Sequence, residues 1–128
     1  MSDEREQTLR ELMEELSGYS GAVAVTLEAL PVPIKLPGSE SEDTDLAREM
    51  LPAVIRAFEI LNEQPLPKEQ QTWAAAALLH WITAAESVLI YALRGTRYKA
   101  EAAVLNIVLG EAVLADLFEW LDKQDGTA

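Results

Sequence analysis

The chain has 128 residues, 49% of them hydrophobic, a formal net charge of −12 and no cysteine. These values predict a single globular domain over residues 1–128 and exclude disulfide scaffolds, zinc fingers and cysteine nucleophiles. A single histidine, His80, excludes a multi-histidine metal site within one chain.

The first predicted helix starts near Ser2 or Asp3 and is ended by Pro31. Its apolar residues recur at steps of three and four, which is typical of one helix face: Leu9, Leu12, Leu16, Tyr19, Val23, Leu27 and Leu30. Two glycines inside this pattern leave an alternative open, in which residues 17–36 form a strand or hairpin. The charged start of the chain has no apolar core of the kind found in secretory signals, so we expect a cytoplasmic protein.

Residues 31–43 form a connector rich in proline, serine and glutamate. Its closely spaced prolines favour an extended backbone, and its length suggests that it wraps the helices or has a function. The second helix is predicted from Asp45 to Leu61, with Thr44 or Asp45 as its cap. Because Pro52 lies inside this helix, we expect a kink or a restart there.

The third helix is predicted from Pro67 to Arg94, with Gly95 as its stop. The fourth begins at Thr96 and runs to about Gln124. A turn this short requires two long helices to pack antiparallel. The predicted fold class is therefore all-α, a four-helix bundle-like domain with a long antiparallel helical hairpin at its carboxyl end.

Six residues whose side chains carry a polar group share one narrow arc of the third helix: Trp73, His80, Thr83, Ser87, Tyr91 and Arg94. Glu86 lies at the margin of the apolar side, and Asn106 lies near the centre of the apolar face of the fourth helix. Both are predicted to be buried polar residues. Asn106 has three alternatives: a bond to a neighbouring group of its own chain, pairing with Asn106 of a second copy, or a contact with a ligand in the bundle.

The broad apolar faces of the third and fourth helices predict a homodimer, because a single chain would leave part of them uncovered. We expect no membrane span, since His80 and Glu86 interrupt the apolar run and acidic residues punctuate the fourth helix.

The sequence has no complete nucleophilic triad and no glycine-rich phosphate loop, so no catalytic, cofactor or metal residues are assigned. Two acidic pairs at helical spacing, Glu11 with Glu14 and Glu119 with Asp122, resemble the pairs that hold magnesium in all-helical nucleotide pyrophosphatases. That resemblance supplies a third hypothesis, a magnesium-dependent nucleotide hydrolase.

The one basic cluster is the turn between the last two helices, with Arg94, Arg97 and Lys99. Two of these cations lie in the first turn of a helix, where the helix dipole disfavours positive charge. The open alternatives are salt bridges to the acidic segments, an acidic partner and a bound small anion.

The negative charge is concentrated in two regions, because residues 1–50 carry a net −8 and residues 100–128 a net −5. Nucleic acids and anionic membranes are poor partners for such a surface, whereas a basic protein is a natural one. The predicted acidic interaction residues are Glu11, Glu14, Glu15, Glu40, Glu42, Asp43 and Asp45. The first hypothesis is a non-catalytic binding protein, such as an inhibitor that covers the basic surface of a nucleic-acid-handling protein. The second is an assembly or chaperone-like subunit that uses its apolar faces.

Overall fold

The computed structural model describes residues 3–37 and 45–126, and this part of the chain contains helices and no strand. Its helices are α1 (Asp3–Glu28), α2 (Leu51–Ile60), α3 (Lys68–Arg94) and α4 (Arg97–Gly126). A π-helical turn (Leu46–Met50) precedes α2, and a 3-10 turn (Leu61–Glu63) follows it. The predicted all-α bundle with a long antiparallel α3–α4 hairpin is confirmed.

Helix α1 is continuous through both of its glycines, so the alternative of a strand or hairpin within residues 17–28 is wrong. Its buried positions follow the predicted period of three to four residues: Leu12, Leu16, Tyr19, Val23 and Leu27. Beyond Glu28 the amides of Ala29 and Leu30 still bond to carbonyls in the last turn, and Pro31 ends the run. Packing of one face therefore outweighs the helix-weakening effect of glycine.

The first part of the connector packs against the bundle. The Gln64 side chain makes two hydrogen bonds with the backbone of Val32. Its Nε2 donates to the Val32 carbonyl at 2.6 Å, and its Oε1 accepts from the Val32 amide at 3.0 Å. Leu36 is buried and Ile34 is half-buried. The described residues 31–37 thus follow the core, as expected of an extended segment with apolar side chains.

The second helical segment restarts at Leu51, next to Pro52, where a kink or a restart was predicted. Asp45 caps it, since its carboxylate accepts from the amides of Ala47 and Arg48, each at 3.0 Å. The amides of Glu49 and Met50 both bond to the Asp45 carbonyl, which inserts one extra residue in this turn. Because proline lacks an amide hydrogen, the regular helix begins next to it, where no hydrogen bond is lost.

Gly95 makes the tight turn between α3 and α4 with a φ of 65°, in the left-handed region that glycine favours. The Arg5 guanidinium donates to the Ala92 carbonyl at 2.9 Å and to the Tyr91 carbonyl at 3.4 Å, so α1 caps the end of α3. A Cβ at Gly95 would also lie within 3.0 Å of this guanidinium.

Helix α3 is central and packs against α1, α2 and α4. Among the described residues it is also the one helix long and apolar enough to cross a membrane, with a mean hydropathy of 1.5. Core helices of soluble proteins share this property. Its buried residues are Gln70, Ala74, Ala77, Leu78, Trp81, Ala84, Ala85, Ser87, Val88 and Tyr91.

Candidate functional site

A groove of about 480 Å³ lies between α1 and the beginning of α4, and we call it the α1/α4 groove. Its floor is largely apolar, and carboxylates stand on both of its sides. The lining residues are Thr8, Glu11, Leu12, Glu15, Ala100, Glu101, Val104 and Leu105. The groove therefore combines an apolar surface with negative charge.

The spacing of α1 explains the acidic side of the groove. Leu12 is buried, whereas Glu11 and Glu15, four residues apart on the same face, remain exposed at its edge. Helix α4 supplies the third carboxylate, Glu101, one turn before Val104 and Leu105. No cationic side chain is found among the described residues that line the groove.

Arg97 approaches the groove from its end, with its Nε 3.5 Å from Glu101 Oε1. Both side chains are largely exposed, so this ion pair contributes at most about 1 kcal/mol and leaves the Glu101 carboxylate hydrated. A cationic ligand group would compete with Arg97 at little cost.

The predicted acidic residues have different locations. Glu11 and Glu15 line the α1/α4 groove, whereas Glu14 is exposed on α1 outside it. Asp45 caps the second helical segment. Glu40, Glu42 and Asp43 fall outside the described residues. Within the described residues, no three of the histidine and acidic side chains are grouped closely enough to hold a metal ion.

Asn106 is half-buried and satisfies its amide within the chain. Its Nδ2 donates to the Ala102 carbonyl at 2.8 Å, so its Oδ1, 2.9 Å from His80 Nδ1, accepts from that nitrogen. This is the first of the three sequence alternatives, bonding within the monomer, and full burial of Asn106 was the wrong expectation. The predicted burial of Glu86 is also wrong, because this side chain is exposed to solvent on α3.

Sequence reasoning missed a contact between Tyr19 and Gly110 in the centre of the bundle. The Tyr19 hydroxyl donates to the Ala77 carbonyl and occupies the space where Gly110 has no side chain. Burial raises the pKa of the Tyr19 phenol above its usual value, and the negative charge of Glu111 raises it further. A tyrosine on one helix that packs against a glycine on another leaves no repeating pattern in the sequence, so this contact could not be predicted.

The basic turn is spread over the surface. Arg97 bonds to Glu101 in its own helix, and Lys99 lies 5.4 Å from the centre of the Tyr98 ring. Arg94 is exposed. The alternative of internal salt bridges is thus met by Arg97, whose partner Glu101 lies in the acidic region of residues 100–128 and in the same helix.

A second surface runs along the solvent side of α4, and we call it the α4 seam. It consists of Leu105, Val108, Leu109 and Ala112, all exposed, with the first three 61%, 57% and 53% exposed. The sequence predicts that a single chain leaves part of the apolar faces of its last two helices uncovered, and these side chains are an uncovered part of α4. The available signal was the charge pattern, since Glu111 is the only charged residue between Glu101 and Asp116.

Comparison of the chain with protein-family models, with curated proteins and with solved structures finds no match.

Proposed function

We propose that this protein is a non-catalytic binding protein that holds a basic, amphipathic helix of a partner protein in the α1/α4 groove. The observation that supports this is the composition of the groove, in which Glu11, Glu15 and Glu101 surround an apolar floor. An apolar residue of the partner enters the groove, and lysine or arginine residues beside it meet the carboxylates.

Helix-in-groove binding fits the physical properties of this surface. An amphipathic helix presents apolar residues three and four positions apart, and its cationic residues lie on the flanks of that stripe. The apolar contact supplies affinity, while the three carboxylates select for positive charge. The ion pair from Arg97 to Glu101 is replaced by one from the partner.

The charge of the whole chain supports the same class of partner. A net charge of −12 on 128 residues attracts basic proteins over a distance and accelerates their association. Proteins that handle nucleic acids carry such basic surfaces. We propose an inhibitory role in the cytoplasm, in which this chain covers the basic surface of such a partner without touching nucleic acid itself.

Fluorescence anisotropy with a labelled helical peptide tests the proposal. The peptide carries leucine at helical spacing with lysine on both flanks, and a second peptide has glutamate in place of lysine. We expect the basic peptide to bind at low salt and to lose affinity as salt rises, because screening weakens exposed charge pairs. The acidic peptide should not bind.

Matched variants separate the groove from the general charge. The double variant Glu11→Gln, Glu15→Gln should raise the dissociation constant about tenfold, since each lost pair contributes about 0.7 kcal/mol. The control Glu59→Gln, Glu69→Gln removes the same charge from exposed positions on α2 and α3 and should change it less than about twofold. Equal losses in the two variants would refute a groove site.

A further inference from the structure

Helices α1 and α4 run in the same direction along the α1/α4 groove. Arg5 lies against Gly95, just before α4 begins, and further along α1 Tyr19 lies against Gly110. Both helices therefore start at the same end of the groove, which we call its amino end. Helix α3 is antiparallel to both, since it forms a hairpin with α4 and its last turn lies beside Arg5.

The carboxylates of the groove lie near its amino end. Glu11 and Glu15 belong to the first half of α1, and Glu101 belongs to the first two turns of α4. Further along, α1 has no charged residue over 16–27, and in the middle of α4 only Glu111 is charged. A partner helix in this groove therefore has its cationic residues near the amino end and its uncharged part further along.

Arg97 stands at the amino end of the groove, three residues before the lining residue Ala100. It is the first residue of α4, where the helix dipole disfavours positive charge, and its side chain is 92% exposed. Its pair with Glu101 places the cation before the acid, which is the less stabilising order along a helix. The stability of α4 therefore does not account for an arginine at this position.

The same end of the bundle already contains an arginine that binds the end of an antiparallel helix. The Arg5 guanidinium of α1 donates to the carbonyls of Ala92 at 2.9 Å and of Tyr91 at 3.4 Å, in the last turn of α3. The last carbonyls of a helix have no partner within that helix and accept such bonds. A helix that lies antiparallel on α1 and α4 presents its own last carbonyls at this end.

We propose that Arg97 binds the carbonyls at the carboxyl end of the partner helix, which lies antiparallel to α1 and α4 with its cationic residues in its carboxyl-terminal half. This inference rests on the proposed function. A lysine or arginine of the partner takes Glu101, and the released Arg97 guanidinium donates to the helix end. The partner helix is itself stabilised by cations near its carboxyl end, and the negative end of its dipole lies beside the positive ends of α1 and α4.

The variant Arg97→Gln tests the role of this arginine. Its ligand is a labelled, amidated helical peptide of about 14 residues, or about 21 Å, with leucine at helical spacing and lysine in its carboxyl-terminal half. Arg97→Gln should weaken binding about threefold in fluorescence anisotropy, although it makes the protein more negative. The control Lys123→Gln removes the same charge from the matching pair with Glu119 at the other end of α4 and should not weaken binding.

Spin labels determine the orientation of the peptide, and the absence of native cysteine makes the labelling specific. Tyr98 is 65% exposed beside Arg97, so Tyr98→Cys marks the amino end of the groove. A label at the carboxyl end of the peptide should lie about 10–15 Å from it, and a label at the amino end about 25 Å. The reverse order of distances would overturn the proposed orientation.

The outcomes separate this inference from the proposed function. A basic peptide that does not bind, or that binds equally well to the Glu11→Gln, Glu15→Gln variant, would refute the groove site and this inference with it. A peptide that needs Glu11 and Glu15 but binds Arg97→Gln as tightly as the wild type, or more tightly, would overturn the role of Arg97 alone. Tighter binding would mean that Arg97 only competes for Glu101.

Discussion

The substitution Gly110→Ala is expected to destabilise the bundle, although alanine favours helices more than glycine does. Gly110 is buried in α4. A Cβ added there would overlap the Tyr19 hydroxyl and ring and would lie 2.9 Å from the Cβ of His80. The Tyr19 side chain cannot move aside, since it is fully buried and its hydroxyl donates to the Ala77 carbonyl.

The magnitude follows from three contributions. Alanine gains about 1 kcal/mol over glycine in a helix interior. Overpacking a filled core costs about 1–3 kcal/mol, and displacing a buried hydroxyl from its acceptor costs about 1–3 kcal/mol. The expected net loss in the free energy of unfolding is about 3 kcal/mol, which lowers the melting temperature of a chain of this length by about 10 °C.

Urea unfolding followed by circular dichroism, at one fixed protein concentration, measures this effect. Gly18→Ala and Gly21→Ala are matched controls, because a Cβ at either position of α1 meets nothing within 4 Å. Each should stabilise the protein by about 0.5–1 kcal/mol. The cost of Gly110→Ala should be smaller in a Tyr19→Phe background. A Gly110→Ala protein as stable as the wild type would refute the packing argument.

Three further outcomes are expected. The pKa of the Tyr19 phenol is raised in the folded state above its usual value of 10.0. The protonated phenol therefore stabilises the fold fully below about pH 10, and this stabilisation is lost as the pH rises further. Urea midpoints should fall more steeply above about pH 10 for the wild type than for Tyr19→Phe. Gln64→Ala should lower the free energy of unfolding by about 1–3 kcal/mol, because both bonds to Val32 are lost, and a loss below about 0.5 kcal/mol would contradict this. Asn106→Leu should cost about 1 kcal/mol by leaving His80 Nδ1 without its acceptor, and analytical ultracentrifugation should find its oligomeric state unchanged.

The helix boundaries were largely predictable because they depend on local chemistry. Gly95 ends α3 through its left-handed conformation, and Pro52 forces a restart of the second helical segment. Both effects act within one turn of the residue concerned. The amphipathic period of α1 likewise predicted its core face through both glycines.

The surfaces of α3 and α4 were less predictable, because burial depends on how many neighbours a helix has. Ser87 and Tyr91 belong to the polar arc of α3, yet both are buried because α1, α2 and α4 surround that helix. Helix α4 packs on α1 and α3 only along one side, so its other side leaves Leu109 in solvent. Periodicity identifies the faces of a helix but does not state how many of them are covered.

The α1/α4 groove depends on tertiary packing in the same way. Glu11 and Glu15 could be assigned to an acidic surface from charge alone, but their position opposite Glu101 is set by helices far apart in the sequence. No spacing within α1 indicates which helix lies beside it. The sequence pattern for this reason did not single out the floor residues Val104 and Leu105.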